Sequence, residues 1–113
     1  MIVHIDTETL ERVVSLRGSG EESVVLSPEV CGAHNVRGLL RWLKPGDHLD
    51  AAPSPTSHQL LYIMDGKGVF YLEGKQYPAG PGAGLYLGPG EAARLDHAGI
   101  ATLKVFHLVV PPP

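Results

Sequence analysis

The stretch Leu60-Leu61-Tyr62-Ile63-Met64-Asp65-Gly66-Lys67-Gly68-Val69-Phe70-Tyr71-Leu72-Glu73-Gly74 decides how this chain is read. Two apolar runs, Gln59 to Met64 and Val69 to Leu72, flank Asp65-Gly66-Lys67-Gly68, and the second stops at Glu73-Gly74-Lys75. Short runs of branched and aromatic side chains bounded by glycine predict strands joined by hairpins. Outward from this centre the pattern repeats. Val24 to Leu26 stops before Pro28, and Val36 to Leu43 ends at Lys44-Pro45-Gly46. Leu85 to Leu87 is bracketed by glycines, and Ala101 to Val110 is the longest strand expected. The Pro111-Pro112-Pro113 tail has no N–H with which to join a ladder. At the other end, residues 2 to 5 read as a short first strand. Leu10, Val13, Val14 and Arg17 lie at helical spacing, with Asp6 or Thr7 as a cap and Gly18 as a stop, so one short helix is expected over Asp6 to Arg17. Gly18 to Glu22 reads as a polar turn or a mobile loop.

Composition agrees with an all-β chain. The 113 residues suit one domain spanning residues 1–113, and 43% hydrophobic residues against 19% charged exclude a disordered chain. Fourteen glycines and ten prolines make 24 of 113 residues, a density of turn formers that favours short strands. The net charge of −3 removes the main electrostatic attraction for nucleic acid, so no nucleic-acid partner is expected. No apolar run is long enough to span a membrane, no signal-peptide pattern opens the chain, and the lone Cys31 cannot close an internal disulfide. The expectation is a cytoplasmic protein with no membrane partner.

Strand parity sorts the faces. Gln59, Leu61 and Ile63 share one face, opposite Leu60, Tyr62 and Met64. Leu103, Val105, His107 and Val109 share a face of the last strand, opposite Thr102, Lys104, Phe106, Leu108 and Val110. One face should fill a barrel. The other is apolar too, which predicts a second layer or a partner subunit, and hence a homodimer.

The hairpin text of residues 60–74 resembles the cupin signature "yVleGegxxxxxG". Lys44-Pro45-Gly46 resembles the opening of the first cupin motif, and Leu85-Tyr86-Leu87-Gly88-Pro89-Gly90 its "liPpG" segment. Gly46 and Gly66 stand at the ends of the first motif, and Gly82 and Gly90 match the glycines of the second. The resemblance covers about residues 36–110 and implies a double-stranded β-helix, the jelly-roll barrel, with a glycine wherever the chain needs a positive φ or lacks room for a side chain. Pairing through the sheets, common among cupins, agrees with the homodimer.

The resemblance also implies where a cupin metal would be held: the two histidines and glutamate of the first motif and the histidine of the second. Those positions here are Ala52, Ser54, Gln59 and Ala93, or Pro53 and Pro55 for the first two if the loop slack is resolved the other way. No imidazole or carboxylate remains, so no metal and no other cofactor is expected there. Gly88 stands where the second motif has proline, and His97 where it ends in asparagine.

The other candidates carry two readings each. His107 is either a hydrogen-bonded core histidine or a pocket residue. His58 is a surface residue by parity, unless a bulge at the strand start turns it inward. His97 lies near the end of the second motif, and Arg94 is either a rim arginine or a group that holds an acidic ligand. Cys31-Gly32-Ala33-His34 reads as a turn, lacking the second pair a metal site needs. Asp47, His48 and Asp50 read as a solvated loop in which His48 and Asp50 could pair. Ser54 and Ser57 lack a third member for nucleophilic catalysis, and Trp42 and Tyr62 read as sheet packing. Two functions follow. One is a metal-free small-molecule binding or accessory domain, with Gln59, His58, His107, His97 and Arg94 as the candidate pocket. AraC-type regulators use such a barrel as a sensor beside a helix-turn-helix domain, for which this chain has no room. The alternative is a cupin enzyme of isomerase or dioxygenase type, with a metal or acid/base site rebuilt from His58, His97 or His107.

Overall fold

The computed structural model describes residues 4–6, 10–14, 20–27, 32 and 36–110. Among these, ten strands and no helix are present: β1 (Val13–Val14), β2 (Glu21–Leu26), β3 (Arg37–Leu43), β4 (His48–Ala51), β5 (His58–Asp65), β6 (Lys67–Leu72), β7 (Lys75–Ala79), β8 (Gly84–Leu87), β9 (Ala93–Ala98) and β10 (Leu103–Val110). They form a six-stranded sheet in the order β1-β2-β3-β10-β5-β8 and a four-stranded sheet in the order β4-β9-β6-β7. Every pairing is antiparallel. Two facing antiparallel sheets with crossing connections make the double-stranded β-helix of the cupins.

The expected helix is overturned where it can be seen. Val13 and Val14 pair with Glu22 and Glu21, so the pairs needed by the β2 ladder override a spacing that isolated valines support only weakly. Glu21 and Glu22 accordingly belong to a strand, not to a turn. His4 and Ile5 are not in a strand, and the rest of the first strand expected there lies outside the described residues, as do Pro111–Pro113, Cys31 and His34.

Parity governs the core. Leu61, Ile63, Leu103, Val105 and Leu43 come from the six-stranded sheet, Leu49, Ala51, Phe70, Ala93 and Leu95 from the four-stranded sheet, and all are buried between them. Gln59, Leu61 and Ile63 face this interior, whereas Leu60, Tyr62 and Met64 are exposed on the outer face. A one-residue slip would exchange the two sets, so the register is held by the burial itself. Pro78 is tolerated because β7 is an edge strand.

The four motif glycines all have positive φ: 90° at Gly46, 82° at Gly66, 90° at Gly82 and 82° at Gly90. Gly66 is also sterically required, since a Cβ there would lie 2.6 Å from the Thr102 carbonyl oxygen and 2.8 Å from Leu103 Cα. The two-residue turn between β6 and β7 places Glu73 at φ 50° and Gly74 at φ 74°, as a type I′ turn demands.

Trp42, on the outer face of β3, is buried beneath two cations: the Arg12 guanidinium lies 3.7 Å and the Lys104 ammonium 4.9 Å from its ring centroid. It packs on the sheet exterior, remote from the barrel interior, while Tyr62 is 43% exposed.

Candidate functional site

Towards one end of the barrel the inward positions stop being aliphatic. β5 runs from Ile63 and Leu61 to Gln59, β10 from Leu103 and Val105 to His107, and β3 from Leu43 to Arg41. All three polar residues are buried, Arg41 to 1%, Gln59 to 5% and His107 to 5% exposure. They open onto a half-enclosed cavity of about 430 Å³. Glu22 of β2, Arg37 and Leu39 of β3, Val109 of β10, and Ala52, Pro53, Ser54 and Ser57 of the segment after β4 complete its wall. The rim is tied down locally: Ser57 N–H donates to Ser54 Oγ at 3.1 Å, and Gly90 N–H donates to the Ser54 carbonyl at 2.6 Å.

A short relay fixes the chemistry of the cavity floor. Gln59 Nε2 donates to the Ala52 carbonyl at 2.9 Å. Only the amide nitrogen can serve there, because the carbonyl accepts. Gln59 Oε1 is therefore turned to His107 Nε2, 2.8 Å away. An amide oxygen also only accepts, so His107 must carry a proton on Nε2. Orientation of the amide and protonation of the imidazole follow from one backbone carbonyl.

The positions inherited from the cupin metal site are distributed around this cavity. Ala52, Ser54 and Gln59 line it, and Pro53 does so too. Ala93 is buried in the core opposite Ala51. The donors present are thus an amide already spent on two partners, hydroxyls, one imidazole whose Nε2 proton is committed to Gln59, and the Glu22 carboxylate, which stands opposite Arg41 in the ladder. Two guanidinium groups face the same space. One imidazole and one carboxylate fall short of the three protein ligands a divalent transition-metal site takes, and two cations beside them disfavour such an ion further. Among the described residues no three His, Cys, Asp or Glu side chains converge as metal ligands.

Of the five candidate residues, the structure brings Gln59 and His107 together and sets the other three apart. His58 follows strict parity: it is exposed on the outer face, its Nδ1 2.6 Å from the Tyr86 hydroxyl and its ring stacked on that tyrosine. His97 Nε2 donates to the Ala101 carbonyl at 2.5 Å, bracing the turn before β10. Arg94 is exposed and pairs with Asp96 at 2.6 Å; that carboxylate, by hydrogen bond and charge, raises the guanidinium pKa further. None of these three lines the cavity, so the His58, His97 and His107 trio does not form one acid/base or metal centre. Ser54 and Ser57 do line it, but the adjacent His58 points away from them. His48 and Asp50 pair at 3.3 Å, on a strand and not on a loop.

Arg41, Arg37 and Glu22 are the cavity residues that sequence reasoning passed over. The signal existed for Arg41: it has the parity of Leu39 and Leu43 within an apolar strand, so an inward strand placed a cation inside.

A family model described as the AraC-like ligand binding domain matches residues 39–113. The chain belongs to that family. Its relatives include the oxalate-binding protein of Thermotoga maritima, 28% identical over 115 residues that cover 97% of this chain and 93% of the relative. Among solved structures, a predicted oxalate decarboxylase from the same organism superposes with a TM-score of 0.83 at 22% identity, covering 97% of this chain and 100% of the other. A cupin 2 conserved barrel domain protein from Salinispora arenicola gives 0.73 at 14% identity, over 97% and 87% of the two chains. At these identities the structural likeness establishes the fold of this AraC-like domain, the cupin barrel.

Proposed function

We propose that this chain binds a small organic molecule in the barrel mouth, held by hydrogen bonds and charge without a divalent metal. The Gln59–His107 relay carries this reading. Both side chains are buried, both are at inward positions of neighbouring strands, and both face a cavity. A barrel built for stability alone would gain more from aliphatic residues at these sites, because buried polar groups contribute little net stability even when paired. The pair is therefore retained for what it presents to an occupant. The family description and the name of the Thermotoga relative both support a small-molecule ligand.

The same reading makes the protein a cytoplasmic homodimer with residues 1–113 acting as one unit. The lone Cys31 suits a reducing compartment. Leu60, Tyr62 and Met64 of β5 and Tyr86 of the neighbouring β8 form an exposed apolar strip, which a second copy would cover.

The test begins with protein purified without added ligand. Denaturing extraction followed by mass spectrometry should release a small molecule, and elemental analysis after mild chelation should find no stoichiometric transition metal. Released molecule should fall away in Gln59→Met and His107→Leu variants that remain folded. About one metal per chain, lost on His107→Leu, would instead promote the enzyme alternative. Empty extracts, with no thermal stabilisation by any member of a broad small-molecule panel, would sink the binding reading.

A further inference from the structure

We infer that the occupant of the barrel mouth is a monocarboxylate with an apolar body, larger than a two-carbon diacid; this rests on the cavity being a ligand site. Charge supplies the first half of the argument. Among the described residues that line the cavity, two guanidinium groups, Arg37 and Arg41, stand against one carboxylate, Glu22. Glu22 is opposite Arg41 in the β2–β3 register, so the two charges offset one another on the inner face. Among the described residues the surplus is one positive charge, and it sits at Arg37. A guanidinium offers five N–H donors in a planar fork, so a partner within the fold does not exhaust Arg41. Arg41 is held at 1% exposure, so the N–H donors it turns to the cavity are fixed in place for an acceptor. Arg37 lies on the same face of β3, four residues nearer the mouth, where its side chain is exposed and can meet an anion as it enters.

Size and lining supply the second half. The cavity of about 430 Å³ corresponds to about fourteen water molecules at about 30 Å³ each. A diacid of two carbons would fill a small part of it and leave the remainder wet. Leu39 lies between the two arginines on the inner face of β3, and Val109 lies opposite Arg37. Pro53 adds an apolar patch from the rim. These surfaces offer no hydrogen bond and reward an apolar body. The volume also falls in the range of about 300–1,000 Å³ typical of pockets that enclose such ligands. A carboxylate head at the arginines with its apolar body over Leu39, Val109 and Pro53 matches both the charged and the apolar parts of this wall.

Calorimetric titration of the full chain with benzoate, hexanoate, benzamide and oxalate tests this. At least one of the two apolar carboxylates should bind, with benzamide about tenfold weaker or more because it forms no ion pair with a guanidinium, and oxalate about tenfold weaker or more because it leaves the apolar wall uncovered. Arg37→Gln changes an exposed position and should fold; it should weaken the bound carboxylate about tenfold and leave benzamide unchanged. If benzamide binds as tightly as benzoate, the anion inference fails while the ligand site stands. If oxalate binds tightest, the size argument fails and the site again stands. If none of the four binds, the inference is overturned, and the extraction experiment then decides separately whether the site itself survives.

Discussion

Gln59 and His107 offer a double-mutant cycle whose outcome follows from three atoms. In Gln59→Met the length and flexibility of the side chain are kept, but the Ala52 carbonyl loses its donor and His107 Nε2–H its acceptor. Leaving a buried polar group unpaired costs about 1–3 kcal/mol. The imidazole, in a residue only 5% exposed, should take the upper part of that range, whereas the carbonyl of half-buried Ala52 can recruit water and should cost about 1 kcal/mol. The single variant is therefore expected to lose about 2–4 kcal/mol. His107→Leu orphans Gln59 Oε1, next to the cavity, and should lose about 1–2 kcal/mol. In the double variant the orphaned ends of the 2.8 Å bond disappear together, leaving only the Ala52 carbonyl. With a loss of about 1 kcal/mol, it should fall short of the summed singles by about 2–5 kcal/mol. Urea denaturation of the four proteins, with slopes compared to check that the unfolded state is unchanged, measures this directly. Additivity within about 0.5 kcal/mol would refute the relay, because it would mean that each group finds water as readily as it finds the other.

Three further outcomes are expected. Gly66→Ala should destabilise by more than about 2 kcal/mol, read by the same denaturation, because its positive φ and the 2.6 Å approach of the Thr102 carbonyl penalise a Cβ together. Glu73→Asn should raise stability by about 0.5–1 kcal/mol, since asparagine tolerates the left-handed conformation that Glu73 adopts at φ 50°; a loss would show that the Glu73 side chain contributes more than its backbone strain costs. Sedimentation velocity should find a dimer at tens of micromolar that Tyr62→Glu, placed on the exposed strip, converts to a monomer.

The central hairpin was legible because its apolar residues alternate and its turns carry glycine, two independent signals for the same register. β4 and β9 were not. In β9, Ala93-Arg94-Leu95-Asp96-His97-Ala98 offers one large aliphatic side chain, and in β4 Leu49 stands among His48 and Asp50. These strands exist because their neighbours complete their ladders: β9 is paired on both sides, by β4 and β6. Long-range pairing of that kind leaves little local trace. The same limit explains the site. Gln59 and His107 could be placed inward by parity alone, but the proximity of residues separated by 48 positions is a property of β5 and β10 lying side by side. His97 and Arg94 looked equally eligible in one dimension, and the ladder sent them to a turn brace and a surface ion pair.

The position of the polar residues along the barrel explains how one fold holds both a rigid core and a binding mouth. At the level of Leu103, Val105 and Ile63 the barrel is filled by fully buried aliphatic side chains, Leu49 and Leu95 among them from the opposite sheet. Two residues further along β5 and β10 from Leu61 and Val105, the Ala52 carbonyl becomes available from the segment after β4, and a cavity opens. The donor–acceptor chain begins at that level, where the Ala52 carbonyl supplies its first acceptor. Gln59 takes that acceptor, His107 takes Gln59, and Arg41 shares the same inner surface. The side-chain amide suits this task in a way the carboxylate of the cupin motif would not: it donates in one direction and accepts in the other, whereas an ionised glutamate at position 59 would set oxygen against the Ala52 carbonyl. Loss of the motif glutamate and gain of the relay are thus the same substitution. On the binding reading proposed above, oriented dipoles and guanidinium charge stand at this level where cupins hold a metal, an arrangement suited to holding an organic anion in place.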